Sequence, residues 1–82
     1  MTTTEATIVL REELAHIAPD IDFASVNRHG DLREEFDIDS MDFLNLITAL
    51  HERLGIDIAE SEYRELSTVA DAITFLERRL KA

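Results

Sequence analysis

The sequence predicts an all-α fold: a small four-helix bundle, three main helices plus one short helix, with a long loop between the first two helices. Three observations carry this. Two segments place apolar residues at i, i+3, i+4, i+7 and i+11, and a third shows helical spacing. No segment sustains the period-two alternation of a half-buried strand. Glycine occurs only at 30 and 55 and proline only at 19, so the chain-breaking residues punctuate the periodic segments.

Eighty-two residues predict one domain over residues 1–82, with no room for a second core. A composition that is 45% hydrophobic and 32% charged suffices to fold. The first helix is expected over residues 4–18, with Thr4 as its cap. Ala6, Leu10, Leu14 and Ile17 form its stripe, Val9 flanks it, and Pro19 ends it. Residues 19–38 then form a connection long enough to need anchors or a function. Ile21, Phe23, Val26, Leu32 and Phe36 can anchor it, and the last two stand four apart, as in a helical turn.

The second main helix is the clearest. Phe43, Leu46, Ile47, Leu50 and Leu54 line one face, Asp39 caps it, Asp42 places an acid at the third position, and Gly55 closes it. After Ile56 and Ile58, the run AESEYREL allows a brief third helix. The last opens at Thr68, with Asp71 as a capping-box-like partner. Val69, Ala72, Ile73, Leu76 and Leu80 make its stripe, and Arg78, Arg79 and Lys81 fall where the helix dipole favours cations.

Eighteen acids against eight bases give a net charge of −10 and a pI near 4.5. That argues against nucleic acid, whose affinity comes largely from phosphate neutralisation, and for partners with basic surfaces. The start MTTTEATIVL has neither a basic leader nor a long apolar core, and no apolar run reaches membrane-spanning length. The expectation is a cytoplasmic monomer that does not insert into membranes.

Motifs for self-contained chemistry fail. With no cysteine there is neither a disulfide nor a thiolate metal site. His16, His29 and His51 are scattered, and acids from Asp37 onward miss the glycine and ligand spacing of a calcium loop, so no metal site is expected. A serine nucleophile at Ser40 would need a base, yet His51 lies eleven residues along the same helix, about 16 Å away. The chain reads as something other than an enzyme.

Ser40 stands out within DIDSMDFL. Asp39 already fills the cap, so the Ser40 hydroxyl is spare. Met41 and Leu44 lie off the apolar stripe, leaving apolar groups exposed beside it.

The run DSMD followed by FLNLITALHERLGIDI resembles the attachment motif and second helix of acyl carrier proteins. The likeness extends to Leu32 and Phe36, eight and four places before the serine, to GIDIAE, and to STVADAITFL. It implies a carrier whose serine, Ser40, bears a 4′-phosphopantetheine arm moved from coenzyme A by a phosphopantetheinyl transferase. Acyl groups would ride as thioesters for a fatty-acid, lipid or polyketide-type pathway. It implies partner recognition through Asp39, Met41, Asp42, Leu44, Asn45, Thr48 and Glu52, met by acyl-transferring or synthase enzymes with basic docking surfaces. It also implies an acyl pocket among Phe43, Leu46, Ile47, Leu66 and Ile73, residues that equally suit a plain core.

Two departures stand out. The exposed side of the second helix, usually rich in Glu in the family, reads Asp42, Asn45, Thr48, His51, Glu52 and Arg53. This thinned charge points away from general fatty-acid enzymes and toward a specialised carrier. The bridge also has Ala59 where the family commonly has proline, which predicts a looser start to the third helix. Two other readings stay open: a stand-alone peptidyl or aminoacyl carrier, and an unmodified acidic helical interaction protein.

Overall fold

The computed structural model describes residues 4–81. Thr4 Oγ1 accepts the Thr7 N–H at 3.2 Å and opens α1 (Glu5–Ile17). Ala6, Val9, Leu10 and Leu14 are buried, and Ile17 packs partly against them. The helix closes when the Ala18 N–H donates to Leu14 O at 2.8 Å, and Pro19 has no N–H with which to extend it. It is thus one residue shorter at each end than the periodicity predicts, because Thr4 and Ala18 are the caps.

The long connection is built from short capped pieces. Asp22 accepts the Ala24 N–H at 3.1 Å and starts a 3-10 turn, Phe23–Ser25. Asp31 accepts the N–H groups of Arg33 and Glu34 at 2.9 and 3.2 Å and starts the one-turn helix α2 (Leu32–Glu35). A helix this short is unstable alone in water, so tertiary anchors must hold it. Leu32 is fully buried, Phe36 is nearly so, and Phe23 packs on Phe36 with ring centroids 6.3 Å apart.

The exit from α2 is a tight left-handed turn. Asp37 N–H donates to Glu34 O at 3.2 Å and Ile38 N–H to Arg33 O at 2.9 Å, the paired bonds of a Schellman motif. Asp37 sits at φ 52, the only non-glycine among the described residues with positive φ. Ile38 is buried directly after it.

Then comes α3 (Ser40–Leu54). Leu46, Ile47 and Leu50 are buried, while Phe43 and Leu54 pack at the edge of the core. Gly55, at φ 67, ends the helix with its N–H on His51 O at 2.9 Å. The short helix expected over 59–66 is a 3-10 helix, Glu60–Leu66. Its apolar residues Tyr63 and Leu66 stand three apart and so share one side of a helix with three residues per turn. The looser start expected from Ala59 is corrected: Ala59 N–H donates to Glu62 Oε1 at 2.9 Å, a bond proline could not make.

Thr68 Oγ1 accepts the Asp71 N–H at 3.0 Å and opens α4 (Val69–Lys81). Val69, Ala72, Ile73, Phe75 and Leu76 are buried. Leu80, expected at the end of the stripe, is 36% exposed, because it lies a full turn beyond the last buried residue. Arg79 does more than favour the helix dipole: it donates to Asp57 O at 2.7 Å, pairs with Glu62, and lies over the Phe75 ring.

All four α-helices and the 3-10 helix feed one buried cluster. The described residues contain no strand, only an isolated bridge, Asp31 to Thr68. Around it Leu32 N–H donates to Ser67 O at 2.7 Å and Ala70 N–H to Arg28 O at 3.0 Å. This joint fixes α2 beside the start of α4.

Asp37 occupies a backbone region that costs an ordinary L-residue about 1–2 kcal/mol, and somewhat less for aspartate. Asp37→Gly is therefore expected to raise the melting temperature by about 2–6 °C, and Asp37→Val to lower it. Thermal unfolding followed by circular dichroism checks both signs.

Candidate functional site

Ser40 is the first residue of α3 and is exposed. Asp39 Oδ1 accepts the Asp42 N–H at 2.9 Å, so the cap is filled as its sequence position requires. Ser25 Oγ donates to Asp22 and Ser67 Oγ to Arg64 O, whereas Ser40 Oγ makes no hydrogen bond among the described residues. A spare hydroxyl at a helix start, with no base near it, suits modification by another protein better than nucleophilic catalysis.

Ser40 opens onto a cleft of about 510 Å³ between α2, the first turns of α3 and the 3-10 helix. Phe43, Leu44, Tyr63 and Leu66 give it apolar walls, with Phe43 and Tyr63 edge to face at 5.9 Å. Asp31, Arg33, Glu60, Arg64 and Ser67 supply its polar groups.

Of the residues proposed for an acyl pocket, this cleft brings Phe43 and Leu66 to Ser40. Ile47 lines a different cleft of about 340 Å³, reached on the other side of Tyr63. Leu46 and Ile73 are buried in the core and line neither.

Met41, Leu44, Asn45, Thr48 and Glu52 follow one another along the outward side of α3, all exposed. Met41 is 67% and Leu44 45% exposed, unusual values for large apolar side chains, and together they form an apolar strip beside Ser40. Thr48 Oγ1 turns back to donate to Leu44 O at 3.0 Å. Asp39 is exposed at the head of the strip, and Asp42 is half-buried, facing a small cleft beside Ile17 and Ile21.

Two members of the exposed side expected from the sequence are indeed exposed, but their side chains are engaged within the chain. Arg53 leaves the strip and reaches α1, donating to Glu12 at 2.7 Å and Glu13 at 2.9 Å. The bonds to Glu12 and then Glu13 hold its guanidinium above the ordinary arginine pKa. His51 Nδ1–H donates to Ile56 O at 2.5 Å and so serves the turn after α3. On a helix advancing about 100° per residue, position 53 lies opposite Leu44 and well round from Met41 and Thr48, which turns it toward the α1 flank.

Sequence periodicity missed Arg33, Glu60, Tyr63, Arg64 and Ser67 as cleft residues. They lie on a one-turn helix and a 3-10 helix, where no long period exists to read. The one usable signal was the three-residue spacing of Tyr63 and Leu66. Among the described residues no cluster of histidine and acids is placed to hold a metal ion. No helix there is long and apolar enough to cross a membrane.

Residues 9–76 match the family described as the phosphopantetheine attachment site. Curated relatives agree. An acyl carrier protein of Campylobacter hominis is 35% identical over 69 residues, 84% of this chain and 81% of its own. Acyl carrier proteins of Chlamydia caviae and Tropheryma whipplei are 34% and 33% identical, covering 72% and 78% of this chain and 77% and 78% of theirs.

Asp39 carries two separable properties, an acceptor for the helix and a charge for partners. Asp39→Ala is expected to cost about 0.5–2 kcal/mol of stability, while Asp39→Asn, which keeps the acceptor, should stay within a few tenths of wild type. Urea unfolding of the two variants reads the difference.

Proposed function

Because the chain belongs to the phosphopantetheine attachment-site family, among acyl carrier proteins, we propose that Ser40 is the residue bearing its 4′-phosphopantetheine. The observation that carries this reading is the exposed, unbonded Ser40 hydroxyl at a start of α3 already capped by Asp39. The residues present fit such a group: the hydroxyl is accessible to a transferase, and the adjoining cleft has apolar walls and room for a chain-like substituent. When bound, the group supplies the thiol that this cysteine-free chain lacks, so acyl groups travel as thioesters.

The chain's own residues hold and present. The cap and the Schellman turn fix Ser40 at the edge of the bundle, open to an approaching enzyme. Asp37, Asp39 and Asp42 near Ser40 favour enzymes with basic surfaces, beginning with a phosphopantetheinyl transferase. Met41 and Leu44 give those partners an apolar contact beside the attachment point. The catalytic steps belong to the partners, and this chain contributes effective concentration.

The outward strip of α3 supports a specialised role in a fatty-acid, lipid or polyketide-type pathway. With Arg53 held against α1, the strip presents Met41, Leu44, Asn45 and Thr48, with Glu52 as its one acid. Partners of this carrier then depend on apolar fit at the strip and on charge mainly at the Ser40 end.

Incubation with coenzyme A and a broad-specificity transferase is expected to add one phosphopantetheine to the intact mass. Ser40→Ala should add none while unfolding within about 0.5 kcal/mol of wild type, since the hydroxyl makes no internal bond. No gain on the wild type, or equal gain on the variant, removes this reading. Met41→Ala and Leu44→Ala should leave stability unchanged and raise the KM of a dedicated partner enzyme. Normal turnover by general fatty-acid synthases would contradict the specialised role.

A further inference from the structure

The chain has only eight basic side chains, and two of them line the cleft that Ser40 opens onto. Arg33 comes from α2 and Arg64 from the 3-10 helix, elements tied by the Leu32 to Ser67 backbone bond. Arg53 and Arg79 are committed to ion pairs elsewhere, whereas Arg33 and Arg64, like the other four basic residues, form none among the described residues. What sets these two apart is that they meet beside Ser40. Asp31 and Glu60 share the cleft; Asp31 Oδ1 accepts the N–H groups of Arg33 and Glu34, and neither acid forms an ion pair with Arg33 or Arg64. In a chain of net charge −10, acids are available on almost every surface. Two arginines brought to one cleft without ion-pair partners are therefore well placed to meet an anion from outside the chain.

We propose that Arg33 and Arg64 are an anion-holding pair for the phosphodiester that joins the arm to Ser40. The inference rests on Ser40 being the attachment residue. Guanidinium groups suit phosphate because their planar donors match its oxygens, often two at a time. The pair offsets the repulsion that Asp39 and Asp42 impose on a second negative group at the same helix start. It also holds the root of the arm to the cleft that Phe43 and Tyr63 wall, making the prosthetic group part of the carrier's surface at rest. The arginines are positioning residues here, since no bond is made or broken by them.

The test is phosphorus NMR of the loaded protein, on wild type, Arg33→Gln, Arg64→Gln, the double variant, and Arg11→Gln. Arg11 is exposed on α1 and removes the same charge outside the cleft. The expected result is a narrower phosphorus line and a shift toward free phosphopantetheine in each cleft variant, largest in the double variant and absent in Arg11→Gln. Raising salt on the wild type from about 0.01 to 1 M, which shrinks the screening length from about 30 to 3 Å, should move the resonance the same way. The salt series needs no variant and stands even if one misfolds. An unchanged double variant, an equal response from Arg11→Gln, or a wild-type resonance indifferent to salt overturns the proposal. So does a response seen only when the arm carries a succinyl group, which would assign the arginines to an anionic cargo. Intact mass read first separates the two levels: a chain that takes up no arm refutes the attachment reading, whereas a loaded chain with an unaltered phosphorus signal refutes only the arginine pair.

Discussion

The site depends on a backbone joint some distance from Ser40 in sequence. Leu32 N–H on Ser67 O and Ala70 N–H on Arg28 O fasten the end of the long connection to the start of α4. Leu32 and Ala70 lie in the first turns of α2 and α4, whose N–H groups have no partner within their own helices. Each finds a carbonyl in the segment leading into the other helix. With that joint made, Leu32 and Phe36 drop into the core, and α2 stands beside the 3-10 helix. The cleft is the space left between them, and the Schellman turn at Asp37 delivers the chain to Ser40 at its rim. A twenty-residue connection is thus packed and hydrogen-bonded into the fold.

Charge is distributed by use. Arg53 ties α3 to α1, and Arg79 ties α4 to the residues before and within the 3-10 helix. Exposed pairs of this kind add little stability individually, so their main effect is to set which faces remain acidic. Taking Arg53 to Glu12 and Glu13 offsets one of the two acidic charges on the α1 flank. What remains outward on α3 is a largely apolar and neutral strip with Glu52 at its far end, and acids gathered at the end where Ser40 lies. A partner would be steered by charge to that end and fitted by Met41 and Leu44 once there.

Most of the architecture was legible because burial imposes periodicity. The stripes of α1, α3 and α4, the caps at Thr4, Asp39 and Thr68, and the left-handed close at Gly55 follow from residue type and spacing. The exposure of Leu80 and the reach of Arg53 to α1 were not legible, because a period says which direction a side chain takes, not how far the neighbouring element extends. The cleft was less legible. Its polar residues Arg33, Glu60 and Arg64 sit on elements too short for a pattern, and they meet Ser40 only through the joint at Leu32 and Ser67. Asp37 was likewise hidden, since an aspartate in the left-handed region leaves no mark in composition or hydropathy.

The central claim is that position 40, rather than any other hydroxyl, carries the arm. Its nearest structural rival is Ser61, another exposed serine, on the 3-10 helix. The most direct measurement is peptide mapping by fragmentation mass spectrometry of the protein purified from its own cells. Phosphopantetheine is expected on the peptide containing Ser40 and on no other. The group on Ser61 or any other residue, or a fully unmodified chain, would contradict it.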